Sequence, residues 1–172
     1  MPILPKVRDP RLTTIRRGGT LTDEHHHLLA EWALQCAEHV LHLFEEHAPD
    51  DIRPRDAIGV GRAWIRGEVP MTVAHDTAFT ANAAGRGLPD AARFAALSAG
   101  QAVAVAHVAA HDLGAAAYAI RAVGASVAPR DAGRARAEER AWQRDRIPAE
   151  LRELVLEDQQ ARSPICWNVF DD

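Results

Sequence analysis

Apolar residues recur at spacings of three and four along most of the chain. In the segment that begins near residue 22, Leu29, Trp32, Cys36 and Val40 fall on one side of a helical wheel. This is the pattern of an amphipathic helix that packs against a core. No segment alternates apolar and polar residues with a period of two over a useful length. The pattern therefore predicts helices and no sheet.

Prolines mark the starts of the predicted helices, because proline is tolerated in the first turn and breaks a helix elsewhere. Thr22 or Asp23 can cap the first helix, Gly85 or Gly87 can end the third, and Asp112 can cap the fifth. Short connections favour antiparallel neighbours. The sequence predicts seven helices, at residues 22–48, 54–67, 70–86, 89–110, 112–127, 130–145 and 148–161.

Composition agrees with an all-α fold. The chain has 34 alanines among 172 residues, and alanine favours helices and is depleted in strands. A hydrophobic fraction of 47% with a net charge of -4 excludes intrinsic disorder. We expect a single compact domain over residues 1–172 with an alanine-rich core, in which 1–20 form an N-terminal arm and 163–172 a C-terminal tail.

The middle third of the chain is the predicted core. Residues 69–128 contain only three basic and three acidic side chains. Alanine spacing there lets helix backbones approach closely, so we expect tight packing that does not tolerate added volume. The stretch 94–110 is interrupted by polar residues and is too weakly apolar to span a membrane.

Other sequence features favour a cytoplasmic protein. The N-terminus has no apolar stretch followed by a cleavage site. Cys36 and Cys166 match no metal or redox spacing, which favours two reduced thiols packed as small hydrophobes. Basic runs are matched by carboxylates, so we expect no nucleic-acid partner. The exception is a short basic arm from Arg8 to Arg17.

The first helix carries a stripe of acidic residues. The stripe recurs every seven positions, roughly opposite the apolar face. One interpretation is a solvated face, and the other is a docking surface for a basic partner. Acidic residues near the end of a helix oppose its macrodipole, so they are not there for helix stability. The candidate partner-binding residues are Glu24, Glu31, Glu38, Glu45, Asp50 and Asp51.

The histidines raise the question of a metal site. His25, His26 and His27 are consecutive and fan out around one turn, which is typical of surface histidines. His107 and His111 are four apart, a spacing that can place two imidazoles on one ion. Val108 stands where a metalloprotease has glutamate, so a hydrogen-bonded core pair is favoured over a metal. The predicted polar pocket contains His75, Asn82, Gln101, His107 and His111.

Catalytic signatures are missing from the sequence. No phosphate-binding loop with its lysine and no nucleophile elbow is present. The sequence therefore indicates no catalytic residue and no cofactor. The alternative is a metal-dependent helical-bundle enzyme that uses His107 and His111.

The C-terminal tail contains two aromatic residues, Trp167 and Phe170. Large aromatic side chains are usually buried, so we expect both to fold back onto the core. The other interpretation is an exposed hook through which two copies of the chain associate.

Several stretches resemble an immunity protein family of bacterial polymorphic toxin systems. They are Cys36–Glu45, Arg53–Ile58 with Arg62-Ala-Trp64 and Gly67-Glu68, Ala106–His111, and Leu113–Tyr118. The resemblance implies a small all-α cytoplasmic protein that binds and neutralises a protein toxin. It also implies that Asn82 and Gln101 occupy positions where relatives often have histidine.

Overall fold

Helices make up 71% of the structure. The computed structural model describes residues 3–172, in which the only strand-like pairing is an isolated bridge between Thr14 and Leu21. The all-α prediction is confirmed. The helices are α1 (Asp23–Val40), α2 (His42–Glu45), α3 (Arg53–Ile65), α4 (Met71–Ala84), α5 (Asp90–Ala104), α6 (Asp112–Ser126), α7 (Ala132–Asp145) and α8 (Arg152–Arg162).

Helices α1, α5 and α6 form the centre of the bundle. Each of them packs against the other two, while α3 and α4 cover one side and α7 covers the other. The side chain of Thr22 caps α1 by accepting a hydrogen bond from the backbone N–H of His25, as predicted. Within the described residues, no helix has the length and hydrophobicity needed to cross a membrane.

Small residues let the central helices approach closely. Nearly all alanines of α5 and α6 are buried, and the Ser98 hydroxyl on α5 donates to the carbonyl of Ala115 on α6 at 2.8 Å. A Cβ atom added to Gly114 would lie 2.5 Å from the side-chain oxygen of Gln101. The predicted tight, alanine-rich core is therefore present.

The first predicted helix, 22–48, is interrupted at Leu41 and ends early, at Glu45. Helix α1 ends at Val40, where the Leu41 N–H bonds to the carbonyl of Glu38 at 3.2 Å instead of the residue four back. The chain then forms the short α2. This break brings Leu43 and Phe44 into a core cluster with residues of α5 and α6. Packing between distant segments therefore determines where the helix breaks, although the local sequence pattern favours a continuous helix.

The predicted helix 89–110 also ends early. After Ala104 the chain tightens, and Val108 is extended with φ -140° and ψ 112°. The ring Nε2 of His26 donates to the carbonyl of Val105 at 2.7 Å, which satisfies one of the acceptors that a helix end leaves open. His26 is therefore a buried structural residue, so the expectation of a surface histidine is wrong at this position.

The predicted arm and tail are both parts of the core. Ile3 and Leu12 of the arm are buried in one cluster with Val169 and Phe170 of the tail. Phe170 is only 4% exposed, so the hook interpretation is wrong for its side chain, and the tail folds back as expected. Trp167 is half-buried in the same cluster. Cys36 and Cys166 are both unbonded and buried, as predicted.

A buried arginine joins α8 to this core. Arg162 is bonded to both Asp158 and Asp112, and it donates to the carbonyl of Ala110 at 2.8 Å. Burial raises the pKa of Asp112 to about 7, although Arg162 opposes the shift. Asp112 was predicted to cap α6, but it is the first residue of that helix and the N-cap is His111, which makes no side-chain capping bond. The carboxylate of Asp112 accepts a hydrogen bond from the N–H of Leu113.

Candidate functional site

The acidic residues of α1 lie against a neighbouring helix. Arg62 of α3 bonds to Glu38 at 2.7 Å and to Glu31 at 3.3 Å. Arg55, also of α3, bonds to Glu45 at 2.6 Å. The heptad spacing correctly places Glu31 and Glu38 on one side of α1, and Glu45 follows on α2. It does not reveal that α3 supplies arginines to that side.

The ion pairs fix the ionisation of this surface. The hydrogen bond from Arg62 holds the pKa of Glu38 below its ordinary value, and Arg55 does the same for Glu45. Both carboxylates are therefore charged at neutral pH. Because these pairs are largely exposed, each contributes little to folding stability, on the order of 0–1 kcal/mol.

The remaining acidic candidates extend the surface in both directions. Asp51 pairs with Arg53 at 2.6 Å, whereas Glu24 and Asp50 make no ion pair with any described residue. Glu46 is exposed and likewise unpaired within residues 3–172. We use the term acidic face for the eight residues Glu24, Glu31, Glu38, Glu45, Glu46, Asp50, Asp51 and Asp56.

The acidic face remains strongly negative despite its arginines. Residues 18–62 contain nine acidic and three basic side chains. This segment is therefore more negative than the whole chain, whose net charge is -4. Part of this negative charge is offset by residues 1–17, which contain five basic side chains and one acidic side chain. The structure therefore has a charge asymmetry that the total hides.

The predicted polar pocket divides into separate contacts. His107 lies in the turn after α5, with its Nδ1 3.3 Å from the sulfur of Met71 and its ring 4.6 Å from that of His75. His111 lies one short 3-10 turn later and donates from Nδ1 to Gln101 at 2.7 Å. The two histidines do not share a helix, so the spacing argument for one ion does not apply to them.

Asn82 contributes to packing between helices. Its side-chain oxygen is buried without a hydrogen-bond partner among the described residues. A Cβ atom added to Gly100 would lie only 2.0 Å from that oxygen. The residue therefore marks the close approach of α4 to α5.

Two of the pocket histidines, His107 and His111, are held neutral. Burial lowers the pKa of His111 to about 4, with smaller contributions from the neighbouring His107 and Arg162. Burial and the nearby cations also lower the pKa of His107. Residues 3–172 contain no group of three or more histidine, cysteine, aspartate or glutamate side chains placed to hold a metal ion.

One buried polar network was not predicted from the sequence. Glu139 of α7 is 4% exposed, and its carboxylate bonds to His39 of α1 at 2.7 Å and to Gln143 at 2.9 Å. The His39 ring also stacks on Trp142 at 3.7 Å. In the sequence, Glu139 stands among the many charged residues of α7, and nothing distinguishes it from a solvent-exposed glutamate.

The fold and this surface define the class of the molecule: a single all-helical domain with an acidic face. The sequence model of the family described as "Imm-5 like putative immunity protein" matches residues 19–150. The chain belongs to this family, which confirms the resemblance. No curated protein and no solved structure matches the chain significantly.

Proposed function

We propose that this protein binds a bacterial protein toxin in the cytoplasm and neutralises it by occupying the toxin surface, with no chemical step of its own. Membership in an immunity protein family carries this proposal. A protein that acts by binding needs a complementary surface, and not a set of reactive side chains.

The acidic face is the proposed contact surface. Its excess of negative charge favours a basic partner and would accelerate association through long-range attraction. Toxins that cleave nucleic acids present basic grooves, which an acidic surface can fill in place of phosphates. The basic side chains of α3 do not remove this property, because they leave six negative charges in excess over residues 18–62.

The arginines have a second role in this proposal. Arg62 and Arg55 hold the side chains of Glu31, Glu38 and Glu45 in fixed positions. A side chain that is already ordered loses less conformational entropy when a partner binds. The paired carboxylates would thus form an ordered centre, and Glu24, Glu46 and Asp50 an adaptable edge.

The test is a charge reversal that breaks no internal contact. The variant E24R/E46R/D50R changes three acidic residues that have no ion-pair partner within residues 3–172. The matched control, E150R/E153R/D145R, makes the same charge change at exposed positions on α7, on α8 and in the 3-10 turn between them. The probe is the toxin domain encoded by the reading frame immediately upstream, measured by growth protection on co-expression and by calorimetry at two salt concentrations.

Each result has a defined meaning. We expect the wild-type chain to protect cells, the acidic-face variant to bind at least tenfold more weakly with a smaller salt dependence, and the control to bind normally. Failure of the wild-type chain to bind or protect would overturn toxin neutralisation. Normal binding by the acidic-face variant would overturn this surface as the contact and leave toxin binding standing.

A further inference from the structure

The basic arm folds into a closed loop whose shape depends on one glycine. The N–H of Thr20 bonds to the carbonyl of Pro10 at 2.9 Å, and the N–H of Gly19 bonds to that of Thr14 at 3.0 Å. A Cβ atom on Gly19 would lie 2.0 Å from the carbonyl oxygen of Thr13, so only glycine fits. Leu12 anchors the loop in the core.

This loop presents Arg16 and Arg17 to a groove of about 630 Å³. The opposite wall comes from α1, the end of α3 and the turn after α5. Such a volume lies within the range of small-molecule sites. We call it the arm groove, and its principal lining residues are Arg16, Arg17, His27, Trp64, Arg66 and His107.

The cations at the arm groove are only partly neutralised. Arg16 bonds to Asp23 at 3.0 Å and Arg66 bonds to Glu68 at 2.7 Å. Arg17 is exposed and makes no ion pair with a residue of the described chain, 3–172. It therefore offers an unpartnered guanidinium at the groove edge.

Imidazoles and a carboxylate also line the groove. His26, His27 and His107 contribute their rings to it, and the carboxylate of Asp23, which also lines it, is bonded to Arg16 at 3.0 Å. Arg17 is therefore the lining cation left without an ion pair within residues 3–172.

An aromatic side chain completes the groove. The indole of Trp64 lies in the wall and meets the rings of His26 and His27 edge to face, with centroids 5.0 and 4.9 Å away. These contacts fix the plane of the indole. An indole beside guanidinium groups can contact an organic ring while the arginines bind a negatively charged group.

We propose that the arm groove binds a small phosphorylated molecule, with Arg17 on the phosphate and Trp64 against the organic part. Guanidinium groups match phosphate oxygens in a bidentate geometry. Imidazole N–H groups at the floor supply further donors. The inference is independent of toxin binding, because no residue of the acidic face lines the arm groove.

The experiment uses the whole chain and three probes: adenosine monophosphate, inorganic phosphate and adenosine. Calorimetry at low salt measures affinity, and the indole N–H signal of Trp64, assigned with a W64F variant, reports the location by nuclear magnetic resonance. The test variant is R17Q. The matched control is R86Q, which removes an exposed arginine that does not line the groove.

We expect adenosine monophosphate and inorganic phosphate to bind and adenosine not to bind. The ratio of the two phosphate affinities shows whether the organic part contributes. The R17Q variant should bind at least tenfold more weakly, and the control should bind as the wild type does. The proposal is overturned by no binding at millimolar phosphate, by equal binding of adenosine, or by equal losses in the two variants.

Discussion

The side chains of His39 and Glu139 meet at 2.7 Å, although 100 positions separate them in the sequence. The pair joins α1 to α7, and the carboxylate is almost completely buried. Replacing His39 removes a partner from a buried acceptor, which costs about 1–3 kcal/mol. We expect H39A to lower the free energy of unfolding by that amount in urea denaturation. H42A, at an exposed histidine three residues later, should leave it nearly unchanged, and equal losses would contradict the assignment.

Gly100 and Asn82 allow a test of the close approach between α4 and α5. A methyl group at Gly100 would overlap the Asn82 side chain, and overpacking of this kind costs about 1–3 kcal/mol. We therefore expect G100A to melt at a lower temperature. Gly59 lies in α3 with nothing within 4 Å of its Cβ position, so G59A should stabilise by about 0.5–1 kcal/mol. Partial recovery in N82A/G100A would locate the clash.

Among residues 3–172, Arg162 is the only cation bonded to two buried carboxylates. Removing one member of a buried ion pair leaves an uncompensated charge and costs about 3–5 kcal/mol. R162M should therefore be strongly destabilised in urea denaturation, whereas R134M, at an exposed arginine of α7, should not be. A small loss in R162M would mean that water reaches Asp112 and Asp158.

His111 predicts a loss of stability in acid. Its pKa falls from 6.5 to about 4 on folding, so the unfolded chain binds a proton in this interval that the folded chain does not bind. The free energy of unfolding should therefore fall as pH falls from 6.5 to about 4, by up to about 1.4 kcal/mol per pH unit. Denaturation of wild type and H111Q at several pH values measures the difference. Identical slopes in the two proteins would contradict this role.

Local signals allowed much of the fold to be predicted. Thr22 was recognisable as a cap because its bond reaches only to residue 25. The end of α5 was not predictable, because it depends on His26, which is 79 positions from Val105. Likewise, heptad spacing placed Glu31 and Glu38 on one face, but only the packing of α3 shows that Arg62 lies between them. Sequence periodicity describes one helix and does not identify its neighbour.

The bond between Arg162 and Asp112 also has a consequence for the order of synthesis. A ribosome makes the chain from its N-terminus, so Asp112 emerges 50 residues before its cation. Until then, the carboxyl group can be buried only in its protonated, neutral form, because no cation compensates for its charge. The ionised form therefore waits for α8, so a chain truncated before Arg162 would hold Asp112 uncharged and would lose the contacts that join α8 to the core.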